Sequence, residues 1–327
     1  MPETGCGRRV NMAIRWQTAS QRVGSNYIRC KGSPGLSPSK RMTAGLIILV
    51  LVAIGVGCAW LVGNIAAAPA RAVIGPPPPD FALEPVTFNS GSGSKLSGWF
   101  GPGRHGAGSV ILMHGIKANR LEMLDRARFL NAAGFSVLLF DFQAHGESTG
   151  EYISFGHLEA LDARAAFDFL RAKTPAERIG LIGMSLGGAA AILSEPVIDA
   201  DAMVLEAVFA SFKQATENRV ALYLGRSATW LAHPLIWQAK ARLGFDPQGL
   251  NPAGQINRIR APLLLIAGDA DAHATLAEME LIYARANDPK ELWIVPGARH
   301  VDFHRHAKVE YERRVLAFLS KNLARRR

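Results

Sequence analysis

Residues 179–190 read IGLIGMSLGGAA: an apolar run, then Gly183-Met184-Ser185-Leu186-Gly187, then small residues suited to opening a helix. Apolar side chains without polar interruption, cut off by glycine, predict a buried strand that ends in a tight turn. A strand that passes at once into a helix holds the residue at the turn above the end of its sheet, and only glycine fits the crowded backbone on either side. The residue so displayed is Ser185. A chain with 32 glycines meets G-x-S-x-G by chance, and Ser-Gly pairs also mark ordinary turns, so the reading depends on the segments around it.

Those segments repeat the pattern. SVILMH (109–114), SVLLFD (136–141), MVLEAV (203–208), PLLLIA (262–267) and LWIVP (292–296) are further apolar runs bounded by turn signals, and PVTFNS and LSGWFG form a strand pair across GSGSK. Between the runs, RLEMLDRARFLNAAG (120–134) and HLEALDARAAFDFLR (157–171) carry Leu, Ala and Phe at three- and four-residue steps. Continuous apolar strands alternating with amphipathic helices predict an α/β fold whose parallel sheet is covered on both faces. Residues 210–260 break the alternation and hold no strand pattern, which predicts a small helical cap. Its Tyr223, Trp230, Leu235, Ile236 and Trp237 either line an apolar substrate site or pack the cap onto the sheet.

The 327-residue chain is 49% hydrophobic with a formal charge of +10, but residues 1–41 carry eight Lys or Arg against Glu3. The chain after Arg41 holds 29 basic and 26 acidic residues, so no basic stripe points to nucleic acid. Next comes TAGLIILVLVAIGVGCAWLVG, 43–63, without a charge. At about 1.5 Å per residue such a helix spans a hydrocarbon core of about 30 Å. Basic residues ahead of it place the N-terminus in the cytoplasm and the rest across the membrane. Cleavage of a signal near NIAAAPA, with secretion, is the alternative. The expected order is a disordered basic tail (1–42), a transmembrane signal anchor (43–63), a stiff Pro-rich linker (64–80) and a catalytic domain (81–327) with the cap inserted. The cysteines, Cys6, Cys30 and Cys58, all precede that domain, so it has no disulfide and no Cys nucleophile.

Ligands of an open parallel sheet bind beyond the carboxyl ends of its strands. Ser185 stands at one such end, Asp269 and Asp271 follow PLLLIAG, and His300 follows LWIVPGAR. The order Ser, Asp, His at strand ends is what acyl transfer to a serine requires, with either aspartate available as the acid. His300, His304 and His306 lack a carboxylate partner at metal-site spacing, so no metal or other cofactor is expected. Glu159 and Asp162 are expected at a solvated helix start, and Lys117 and Arg120 either on the surface or beside an anionic substrate.

LMHGIKANR, DFQAHGESTG, GMSLGG, GDADAH and GARHVDFH stand in the order and spacing of the α/β-hydrolase fold, and residues 84–324 resemble its serine aminopeptidase-like and monoglyceride-lipase-like members. The resemblance implies a mostly parallel eight-stranded sheet with helices on both faces. It also implies Ser185 as nucleophile, Asp271 as the acid, His300 as the base, and an oxyanion hole from the backbone N–H groups of Ile116 and Leu186. Ala144 stands where the family often has Gly, Arg299 replaces another Gly, and the usual Pro after the acid is missing. The resulting expectation is a membrane-anchored serine hydrolase of small carboxylic esters, with a lipid or acyl-glycerol as candidate substrate. A serine aminopeptidase and a non-catalytic binding protein of the same fold are the alternatives.

Overall fold

The computed structural model describes residues 38–324, so the expected basic tail lies outside the described residues except for 38–42, which are helical. The chain divides between Leu51 and Val52 into two compact units. The first helix, α1 (Pro38–Ala67), is long and apolar enough to cross a membrane and exceeds the predicted 43–63 at both ends. Proline is tolerated in a first helical turn, which suits Pro38, and Pro69 disfavours helical backbone at Ala68, which stops the helix.

The expected linker is not a free spacer. Ala70 and Arg71 pair in parallel with His145 and Gly146, and the amides of Ile74 and Gly75 donate to Glu147 Oε1 at 3.0 and 3.1 Å. The short 145–146 edge and the Glu147 carboxylate offer backbone and side-chain partners that a solvated polyproline run would forgo.

Eight strands form one sheet: β1 (Glu84–Asn89), β2 (Lys95–Gly101), β3 (Ser109–Met113), β4 (Ser136–Phe140), β5 (Ile179–Met184), β6 (Ala202–Glu206), β7 (Leu263–Gly268) and β8 (Lys290–Val295). Their spatial order is β8-β7-β6-β5-β3-β4-β2-β1, and β2 runs antiparallel to both its neighbours while all other pairs are parallel. The helices are α2 (Leu124–Ala132), α3 (His157–Lys173), α4 (Leu186–Leu193), α5 (Phe212–Leu224), α6 (Ala232–Leu243), α7 (Leu276–Arg285) and α8 (Lys308–Leu323). Alternate residues of each central strand feed two cores. Ile111, Met113, Leu181 and Leu205 face α3, α4 and α7, whereas Val110, Leu112, Ile182 and Val204 face α2 and α8. Both faces are covered, so the strands need no polar side, and each buried aliphatic side chain contributes about 1.5–3 kcal/mol.

Between β6 and β7 the described residues hold only helical elements, α5, α6 and short turns. Glu159 and Asp162, expected in solvent, are fully buried. Glu159 accepts from Ser154, Gly156 and Gln143, and Asp162 from Ser92 and the Gln143 amide, so these carboxylates satisfy loop donors that would otherwise be orphaned.

Candidate active site

Ser185 caps β5 and opens α4 with φ +49° and ψ −106°, a conformation that costs about 1–3 kcal/mol in a non-glycine residue and persists only where its surroundings enforce it. The surroundings do so through the flanking glycines. A Cβ on Gly183 would lie 2.6 Å from the backbone of Gly187, and one on Gly187 would lie 2.4 Å from Met113 O. The Ser185 amide donates to Glu206 O at 2.7 Å, tying the turn to β6. Gly187→Ala is therefore expected to displace the turn: the purified variant should lose about 3 kcal/mol of stability in denaturant titration, the upper end of the usual cost of overpacking, since the obstructing atoms are backbone.

His300 follows β8, and its Nδ1–H donates to Asp271 Oδ2 at 2.8 Å. The other oxygen of Asp271 accepts from the amides of His273 and Ala274 at 2.8 and 3.0 Å, which locks the carboxylate in place. Asp269, the other aspartate after β7, is exposed and accepts instead from the Gly297 amide at 2.7 Å, shaping the turn after β8. Among the described residues Ser185 Oγ makes no hydrogen bond, and His300 is bonded to Asp271 alone.

After β3 the chain turns through His114-Gly115-Ile116-Lys117. A Cβ on Gly115 would lie 3.9 Å from Ser185 Cβ, so this loop borders the serine. The Gly115 amide donates to Glu122 Oε2 and the Lys117 amide to His145 Nε2, leaving the Ile116 amide between them without a partner among the described residues. The Leu186 amide begins α4 and is one of the donors that a helix start leaves unsatisfied. The residues after Gly115 and after Ser185, Ile116 and Leu186, thus each carry a backbone donor without a partner among the described residues.

Two neutral histidines hold the loop. His114 Nε2 accepts from the Phe142 amide, so its proton sits on Nδ1 and is donated to Gly115 O at 2.7 Å. Burial pushes its pKa down to about 3. His145 accepts from Lys117 and donates to Gln143 O, and burial lowers its pKa too. An unfolded chain protonates its histidines near pH 6.5, whereas folded His114 resists protonation to about pH 3. Protons therefore favour the unfolded state in that window, and stability falls as pH falls, with a slope of up to about 1.4 kcal/mol per pH unit for each such group. The unfolding midpoint should drop between pH 7 and pH 5. His145→Gln, whose side-chain oxygen still accepts from Lys117, should make the drop smaller.

Beneath the serine lies a buried ionic network that sequence reading missed. Arg126, fully buried, pairs with Glu206 at 2.7 Å and with Asp302 at 2.9 Å, and Tyr311 OH donates to Glu206. Glu206 supplies the carbonyl that holds the Ser185 amide, and Asp302 lies two residues after His300, so Arg126 braces both loops. The signal was a lone glutamate inside the apolar run MVLEAV, since a charge there must be paired. Arg120 is likewise buried, paired with Asp141 and Glu147, and is not a surface charge. Lys117 Nζ donates to Ile65 O at 2.9 Å, linking this loop to the last turn of α1. Ala144, at φ +58°, occupies left-handed backbone that glycine adopts more readily. His304 is buried and bonded to Glu312, and no group of metal-ligating side chains occurs among the described residues.

Of the cap side chains singled out in the sequence, Tyr223, Trp230 and Trp237 are 76%, 65% and 63% exposed, while Leu235 and Ile236 are half-buried. On the buried side of the cap Ala215 joins the main core, and Ala239 and Leu243 pack with Ala67 at the end of α1.

The family model described as serine aminopeptidase, S33, matches residues 104–248. YfhR, an uncharacterized protein of Escherichia coli K12, is 29% identical over 301 residues, covering 87% of this chain and 97% of its own. YqkD of Bacillus subtilis, also uncharacterized, is 27% identical over 216 residues, covering 64% of this chain and 70% of its own. Among solved structures, the esterase Pf2001 of Pyrococcus furiosus is similar with a TM-score of 0.66 and 30% identity, over 79% of this chain and 98% of that one.

Proposed function

Because the chain belongs to the α/β-hydrolase superfamily, we propose that it is a membrane-anchored serine hydrolase that cleaves carboxylic esters through an acyl-serine intermediate. The reading rests on one observation above all, the 2.8 Å bond from His300 Nδ1 to Asp271 after the neighbouring strands' ends, and is supported by a serine held on a strained turn at the end of β5. With Nδ1–H committed to Asp271, His300 Nε2 is the basic nitrogen, and it takes the Ser185 Oγ proton once the serine side chain rotates onto it. The alkoxide adds to the ester carbonyl. The oxyanion that forms is met by the amides of Ile116 and Leu186, each worth about 3–4 kcal/mol in the transition state. His300 returns the proton to the leaving alcohol, and water then cleaves the acyl-enzyme by the same steps.

The esterase among its solved relatives supports ester chemistry. The apolar helix α1, with the basic residues ahead of it, supports an anchor with a cytoplasmic N-terminus and an extracytoplasmic catalytic domain, which favours a lipid or acyl-glycerol substrate. The family model's description favours a second reading, release of N-terminal residues from peptides. Holding a substrate ammonium calls for free carboxylates in the cap, and the two within residues 210–260, Glu217 and Asp246, pair with Lys213 and Lys240.

Labelling the detergent-solubilised full chain with a fluorescent fluorophosphonate tests the proposal. An adduct mapped to the Ser185 peptide is the expected result. A folded protein that takes no label overturns it in favour of a binding protein.

A further inference from the structure

The outer surface of the cap is apolar and basic at once. Leu222, Tyr223 and Leu224 end α5 exposed, Trp230 stands on the turn that follows, and Trp237 stands on α6. Arg226 is exposed and Arg242 half-exposed on the same insertion, neither with an acidic partner among the described residues, while Lys240 pairs with Asp246. Large aromatic and leucine side chains turned to water across one insertion do not stabilise a soluble domain; such patches mark a partner surface.

The end of α1 says which partner. Ala59, Gly63 and Ala67 recur every fourth residue and are buried, so they share one helix face. That face meets α6: a Cβ on Gly63 would overlap the Gln238 side chain, and Ala67 clusters with Ala239 and Leu243. On the other faces of the same turns Trp60, Leu61, Val62 and Ile65 are exposed. The uncharged run of α1 ends at Gly63, the residue against α6, so the cap helix lies level with the point where a spanning helix leaves the hydrocarbon. Trp, Tyr and basic side chains are the residues that favour that depth, the basic ones by attraction to anionic headgroups. The Lys117 bond to Ile65 O brings the loop beside Ser185 to the same level.

We propose that the cap is a lipid-docking surface. Tyr223, Leu224, Trp230 and Trp237 enter the headgroup layer of an anionic bilayer, and the mouth over Ser185 draws its ester from that layer. The proposal rests on the membrane-anchored reading above and adds a second, peripheral contact to the anchor.

The test uses the full chain reconstituted in phosphatidylcholine vesicles containing phosphatidylglycerol, beside the variant Tyr223→Ser/Leu224→Ser/Trp230→Ser/Trp237→Ser. The variant should hydrolyse a water-soluble acetate ester like wild type and a long-chain monoacylglycerol held in the vesicles at least about fivefold more slowly. Equal rates on both substrates, or equal losses on both, overturn docking. Brominated phosphatidylcholine supplies a readout that does not need catalysis: it should quench part of the tryptophan emission, and Trp230→Phe/Trp237→Phe should remove much of that part. Unchanged quenching in this variant overturns docking as well. If wild type hydrolyses no ester, the hydrolase reading fails while the quenching still decides the docking. Loss of the protein from the membrane fraction at alkaline pH would instead sink the anchor.

Discussion

Replacing Ser185 by Ala should lower kcat on a short acyl ester by about 10⁵-fold or more and abolish fluorophosphonate labelling, with little change in the unfolding midpoint. The magnitude follows from the role: removing the nucleophile of a triad costs about as much as removing the whole triad, because the remaining groups have nothing to activate. Stability should hold because Ser185 Oγ makes no hydrogen bond among the described residues, and alanine meets the same backbone constraint as serine at φ +49°. Ser148 is the matched control. Its Oγ accepts from the Ser97 amide at 2.9 Å and donates to Asp141 O at 2.6 Å, both in the interior. Ser148→Ala leaves two buried groups unpaired and should cost about 1–3 kcal/mol of stability while kcat stays within a few-fold of wild type. Equal loss of activity in both variants would show that the fold, and not the nucleophile, had been removed.

Asp271→Asn should lower kcat by about 10⁴-fold. The asparagine keeps the shape, but it can turn an N–H toward His300 Nδ1, which then holds the wrong tautomer with its proton on the nitrogen that must act as base. Asp269→Asn should cost less than about threefold, since its side-chain oxygen still accepts from Gly297 and its carboxylate does not touch His300. Steady-state kinetics on one soluble ester, with both variants checked for unchanged unfolding midpoints, separates the two aspartates. A larger loss in Asp269→Asn would move the acid to that residue.

The apolar runs alone announced the sheet, because a strand covered on both faces has only one way to satisfy both sides and shows it as uninterrupted aliphatic sequence. Ser185, both aspartates and His300 could be put at strand ends for the same reason. Choosing between Asp269 and Asp271 was beyond spacing, since the two are separated by one residue and the direction each carboxylate takes depends on the turn between β7 and α7. The family's resemblance pointed to Asp271, and that is the carboxylate found 2.8 Å from the imidazole. Glu159, Asp162 and Arg120 went astray for a different reason. Charge predicts solvent on average, and these three side chains are buried because nearby backbone donors or carboxylates need partners.

The cap marks the boundary most clearly. Its helical character was readable from the absence of strand patterning over 210–260, but the side to which Tyr223, Trp230 and Trp237 point was not, because an amphipathic segment looks the same whether its aromatic face meets a sheet, a substrate or a membrane. By itself the sequence determined a helix long and apolar enough to cross a membrane, the strand order of chemistry along the chain and the glycine-framed turn at Ser185, all of which are local: they follow from hydrophobic period, run length and backbone crowding. Only the tertiary structure decided which carboxylate meets His300, that Arg126 braces the serine and histidine loops, that residues 70–75 pack on the domain, and that the cap faces outward. Those outcomes depend on contacts between segments tens to hundreds of residues apart, where burial and pairing are fixed by the neighbour and not by the residue's own type.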